Sequence, residues 1–76
     1  MEIDSFVANF SEQFNDTDPS LITADTAFRE LEEWSSLISL SLIAMADEVY
    51  GVKLKGEDIK KSKSVKDLFE IIKGKK

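Results

Sequence analysis

Residues 34–51 read WSSLISLSLIAMADEVYG, and this stretch decides the fold. Two serines precede an unbroken helix-compatible run, and a glycine closes it. Serine favours the cap that opens a helix and glycine the left-handed stop that ends one. The stretch therefore predicts a helix from Ser36 to Tyr50, halted by Gly51. With about 100° between successive residues, Ile38, Leu42, Ile43, Met45, Ala46, Val49 and Tyr50 share one broad arc, the expected core face. Opposite them lie Leu37, Leu40, Ser41, Ala44, Asp47 and Glu48. An arc that met only water would be polar. This one has an apolar centre and an acidic edge, which favours a docking surface over leucines that are merely exposed, as is ordinary on a small domain, or covered by the long loop.

Upstream, Ile3, Phe6, Val7, Phe10 and Phe14 recur at helical spacing and predict an amphipathic first helix ending near Asn15. Turn formers and the only proline follow, from Asn15 to Ser20. Residues 16–33 then form a long connection, in which Leu21, Ile22, Phe28 and Leu31 are expected to reach the core. Downstream, Val52-Lys53-Leu54 reads as an extended link, and Gly56 to Lys61 as one short helical turn or two. Ser64-Val65-Lys66-Asp67 has the form of a capping box, opening a last helix with Val65, Leu68, Phe69 and Ile72 as its stripe. The expectation is a single all-α domain over residues 1–76. It is a four-helix bundle with a long loop between the first and second helices and a short third helix.

Composition narrows the chemistry. The 76 residues contain no cysteine and no histidine, and the expectation is that disulfides, thiol chemistry, zinc sites and imidazole acid–base catalysis are all removed. So small a chain can hardly build an active site around a substrate, and the expectation is that it is not an enzyme. The net charge is −5, split between an acidic residues 1–33 (−8) and a lysine-rich residues 34–76 (+3). The lysines are interspersed with Glu57, Asp58, Asp67 and Glu70, so they read as a solvated surface and nucleic acid is not expected as a partner. Asp16-x-Asp18 lacks the glycine and terminal glutamate of a calcium loop, and no metal site is expected. The start of the chain has no signal-peptide pattern and the longest apolar run is too short for a bilayer. A cytoplasmic protein without a membrane span, acting as a monomer, is expected, and the Asn-x-Ser/Thr matches at Asn9 and Asn15 are chance.

The serines at the head of the central helix admit two readings. One is capping alone. The other is an attachment point, because the free N–H groups and positive dipole end of a helix favour a phosphate placed there.

An acidic first helix and a long loop are followed by Phe28-Arg29-Glu30-Leu31, Ser36-Leu37, Asp47-Glu48-Val49-Tyr50-Gly51-Val52, Ile59 and Ser64-Val65-Lys66-Asp67-Leu68, in that order along essentially the whole chain. In these features the chain resembles the acyl carrier proteins. In that family a serine in an Asp-Ser-Leu motif is esterified with 4′-phosphopantetheine by a separate phosphopantetheinyl transferase. The matching serine is Ser36, followed by Leu37, while Ser35 stands where the family has aspartate. Ile38 and Ser41 likewise stand where acids are frequent. The resemblance implies a phosphoprotein of fatty-acid, polyketide or related lipid metabolism, holding acyl groups as thioesters for acyl-processing enzymes. Leu37, Leu40, Ser41, Ala44, Asp47 and Glu48 would meet those partners. Leu42, Ala46, Leu54, Ile59 and Leu68 are candidates to line an acyl groove, or are core packing. Two alternatives stay open: a peptidyl or aminoacyl carrier, and an unmodified interaction module. Trp34 is expected to anchor the loop and Ser35 to cap the helix.

Overall fold

The rings of Phe6, Phe10, Phe28 and Trp34 touch in sequence, and the helices are arranged around this seam. In a computed structural model, which describes residues 2–76, the helices are α1 (Ile3–Ser11), α2 (Ser36–Tyr50), α3 (Gly56–Lys61) and α4 (Val65–Lys75). No strand occurs among the described residues. Centroids are 6.1 Å apart for Phe6–Phe10, 5.3 Å for Phe10–Phe28 and 5.1 Å for Phe28–Trp34. At its other end Phe6 meets Phe69 of α4 at 5.5 Å and Tyr50 of α2 at 5.9 Å. Tilted and edge-on contacts of this kind are the favourable geometry for aromatic pairs. One seam therefore joins α1 to α4, to the end of α2, and to the loop that leads into its head. Leu42, Ala46, Val65, Leu68 and Ile72 complete the core and are fully buried. Each large aliphatic among them contributes about 1.5–3 kcal/mol by leaving water.

α1 is shorter than its apolar spacing predicts. It ends at Ser11 and not near Asn15, because the Gln13 and Phe14 N–H groups donate to Phe10 O and Ser11 O in tight turns, both at 3.1 Å. The next two N–H groups, of Asn15 and Asp16, donate to the Glu33 carboxylate at 2.6 and 2.9 Å. That side chain competes successfully with helix continuation, and Phe14 is still buried, 5.5 Å from Phe10.

The connection across residues 12–35 contains two 3-10 turns, Pro19–Leu21 and Phe28–Glu30. Ile22 and Phe28 bury in the core as expected, and Leu31 packs partly against it. Leu21 does not: it is 64% exposed, since the turn that places Ile22 inward leaves its neighbour outward. The loop is also fastened to α4. Val65 N and Lys66 N, which have no partner inside their own helix, donate to Thr26 O (3.1 Å) and Ala24 O (2.8 Å).

α2 begins and ends as the sequence predicts. Gly51 adopts φ 67°, a left-handed conformation natural to glycine, and Gly51 N and Val52 N close the helix on Asp47 O (3.0 Å) and Ala46 O (3.2 Å). Ile38, Leu42, Met45 and Ala46 are buried, while Ile43 and Tyr50 pack partly. Val49, expected on the core face, is 53% exposed. It lies in the last turn beside Asn9, Glu12 and Gln13, whose polar side chains leave it open in a surface cleft. α3 is held at its start by Asp58, which accepts from Lys55 N at 2.9 Å and pairs with Lys75 at 3.4 Å. The Lys55 hydrogen bond, aided by Lys75, outweighs partial desolvation and keeps the Asp58 carboxyl below its ordinary range. α4 opens with the predicted capping box: Ser64 Oγ accepts from Asp67 N and Asp67 Oδ2 accepts from Ser64 N, each at 3.3 Å.

Candidate functional site

The seam delivers Trp34 to the head of α2, and this fixes where the serines begin. The indole meets Phe28 edge-on and Phe14 at 6.4 Å, so the loop is anchored immediately before Ser35. Ser35 is extended (φ −157°, ψ 173°), and its Oγ accepts from Ile38 N at 3.4 Å, a long bond and so a weak cap. Ser36 is the first residue of the helix and is exposed. Its hydroxyl makes no hydrogen bond to the described residues, unlike Ser35 Oγ. No acid lies in the first turn of α2, so nothing there offsets the positive end of the helix.

A cleft of about 200 Å³ opens beside Ser36, lined by Trp34, Ser35, Ser39, Arg29 of the second 3-10 turn, and Gly56, Ile59 and Lys60 of α3. A larger depression of about 520 Å³, lined by Ala27, Arg29, Glu30 and Lys63, shares Arg29 with this cleft but has no serine in its lining. Size alone does not select the site here. The smaller cleft contains the free hydroxyl.

The candidate docking residues form one exposed face. Leu37 is 75% and Leu40 62% exposed, and Ala44, Asp47 and Glu48 are exposed while Ser41 is half-buried. Asp47 is engaged with Lys53 at 2.9 Å, a surface pair of at most about 1 kcal/mol. The groove candidates Leu42, Ala46, Leu54, Ile59 and Leu68 all belong to one continuous core. Ile59 is the member of this set that also lines the cleft beside Ser36.

Sequence reasoning missed Glu33, which turns out to latch the loop. Its carboxylate accepts from Asn15 N, Asp16 N and Thr17 Oγ1, the last at 2.8 Å. Partial desolvation pushes this carboxyl up, but the hydrogen bonds from Asn15, Thr17 and Asp16 together outweigh it and hold it below its ordinary range. The available signal was a run of turn residues, Asn15 to Asp18, whose N–H groups need an acceptor. Arg29 and Lys60 carry no local signal for the site, and their approach to Ser36 depends on tertiary packing.

Comparison with protein-family models, with curated proteins and with solved structures finds no match to this chain.

Proposed function

We propose that this protein is an acyl carrier of the cytoplasm, acting as a monomer. It would bear 4′-phosphopantetheine on Ser36 and present acyl intermediates to enzymes of fatty-acid, polyketide or related biosynthesis. The observation that carries the reading is the Ser36 hydroxyl. It is exposed, free of protein hydrogen bonds, placed on the first turn of a long helix and open to a cleft. A phosphodiester formed there gains from the unpaired N–H groups of that turn. The all-α architecture with a long loop before α2 and a short α3 is compatible with the acyl-carrier bundle that the sequence resembles.

The residues divide the work. Ser36 Oγ would be the nucleophile: it would attack the phosphorus of coenzyme A that bears the pantetheine arm, the pyrophosphate bond would break, adenosine 3′,5′-bisphosphate would leave, and the hydroxyl proton would pass to the transferase. Bound there, the arm supplies the thiol that holds the acyl group, which explains a chain that has no cysteine of its own. Ser35 and Trp34 hold Ser36 at a fixed place. Leu37, Leu40 and Ala44 offer partners an apolar surface, with Ser41, Asp47 and Glu48 around it. Leu42, Ala46, Leu54, Ile59 and Leu68 are the candidates to part around an acyl chain. The site test is substitution: Ser36→Ala blocks transfer of the group while Ser35→Ala permits it, and the reverse pattern overturns the assignment.

Ser35 favours a second reading, an unmodified interaction module, because it removes the acid of the family motif. In that case no transferase modifies the chain even as Ser35→Asp. A peptidyl or aminoacyl carrier would share the attachment chemistry and differ in its loading enzyme.

A further inference from the structure

Arg29 and Lys60 reach the cleft beside Ser36 from different elements, and neither forms an ion pair with a carboxylate among the described residues. We infer that this cleft is a seat for a phosphate ester, with the two cations as its counter-charges. The inference rests on Ser36 as the attachment point and adds that the phosphate of the arm is held by the chain instead of being left to water.

Each cation is exposed, yet each directly follows a buried core residue, Phe28 (0% exposed) and Ile59 (2%). Their backbones are therefore fixed by packing while the charged ends remain available. A guanidinium and an ammonium together suit a phosphate, the first by its planar fork and the second as a point charge. Trp34 and Ile59 supply an apolar wall for the aliphatic segment next to that phosphate, and Ser35 and Ser39 supply hydroxyls. Of the α3 acids, Asp58 is turned to Lys55 N and Lys75. Serine at position 35 matters in the same sense, since an aspartate there would place a negative charge on the cleft wall.

The test uses the unmodified full chain, labelled with nitrogen-15 and titrated in separate arms with free 4′-phosphopantetheine, pantetheine and inorganic phosphate. Phosphopantetheine should shift the amide signals of Ser35, Ser36, Ser39 and Gly56, phosphate should shift a subset of them, and pantetheine should leave them in place. Arg29→Gln combined with Lys60→Gln should weaken phosphopantetheine binding about fivefold, with circular dichroism showing the fold retained. Equal shifts from pantetheine, no shifts at all, or an unweakened double variant would each overturn the seat. Ser36→Ala separates the two readings, because binding in the cleft needs no covalent bond. If the transferase ignores Ser36 but phosphopantetheine still binds through the cations, the attachment fails and the seat stands. If Ser36 is modified but no phosphate-dependent shifts occur, the attachment stands and the seat fails.

Discussion

Phe28 and Trp34 meet edge to face, their ring centroids 5.1 Å apart and their planes inclined at 65°. This contact couples the middle of the long loop to the residue just before the helix cap. The position of Ser36 is thus set by core packing and not by local helix signals alone.

Truncating that contact should be costly. Phe28 is fully buried, and Phe28→Ala is expected to lose about 3–5 kcal/mol. A chain of this length has about 4–11 kcal/mol in total, so the variant should lose a large share of its stability. Urea unfolding followed by Trp34 fluorescence measures the loss. A decrease below about 1 kcal/mol would show that the seam is not what holds the loop.

Acid should release the Glu33 latch. Its folded pKa lies below its unfolded value, so the contribution to stability is present above the unfolded pKa and disappears as pH falls through the folded one. Asp18, whose carboxylate accepts from Ser20 N and is held low by that bond, changes in the same direction. Hydrogen exchange of the Asn15 and Asp16 amides should accelerate on acidification more than that of α2 amides, after correction for intrinsic rates. Glu33→Gln should flatten this dependence, and an unchanged profile in that variant would assign it elsewhere.

Position 35 separates capping from recognition. Ser35→Ala removes a weak cap and should cost about 0.5–1 kcal/mol in thermal or urea unfolding. Ser35→Asp retains a good cap, and should leave stability nearly unchanged while raising the rate at which a phosphopantetheinyl transferase modifies Ser36. Identical transfer rates for serine and aspartate would mean that the residue before Ser36 is not read.

Leu37 should matter to partners and not to folding. At 75% exposure, Leu37→Glu is expected to change stability by no more than about 0.5 kcal/mol. Transfer to Ser36 by the same transferase should fall, chiefly through a higher KM. If KM and kcat both match the original chain, the exposed face of α2 is not where that enzyme docks.

The parts legible in the sequence were those written in local chemistry. Ser35 and Gly51 bracket α2, and Ser64 with Asp67 opens α4, because caps and left-handed stops are decided within a few residues. The outward arc of α2 followed from periodicity for the same reason. Errors arose where distant groups competed. α1 stops early because Glu33, far along the chain, takes the N–H groups that a longer helix would have used. Val49 sits on the inward arc by angle, but its neighbours across the gap are polar and do not cover it. Leu21 and Ile22 are adjacent, and only tertiary packing decides which one enters the core. At the candidate site the resemblance singles out Ser36 from its place before Leu37, and its exposure at the head of α2 follows from the local helix signals, whereas the meeting of Arg29 and Lys60 beside it depends on how the loop and α3 pack.

The central claim concerns one hydroxyl, and intact-mass spectrometry tests it most directly. The purified chain, incubated with coenzyme A, magnesium and a broad-specificity phosphopantetheinyl transferase, should gain the mass of a single 4′-phosphopantetheine group. Peptide fragmentation should place that group on Ser36. An unchanged mass for both the original chain and Ser35→Asp, or a group located on Ser35, Ser39 or Ser41, would contradict the account.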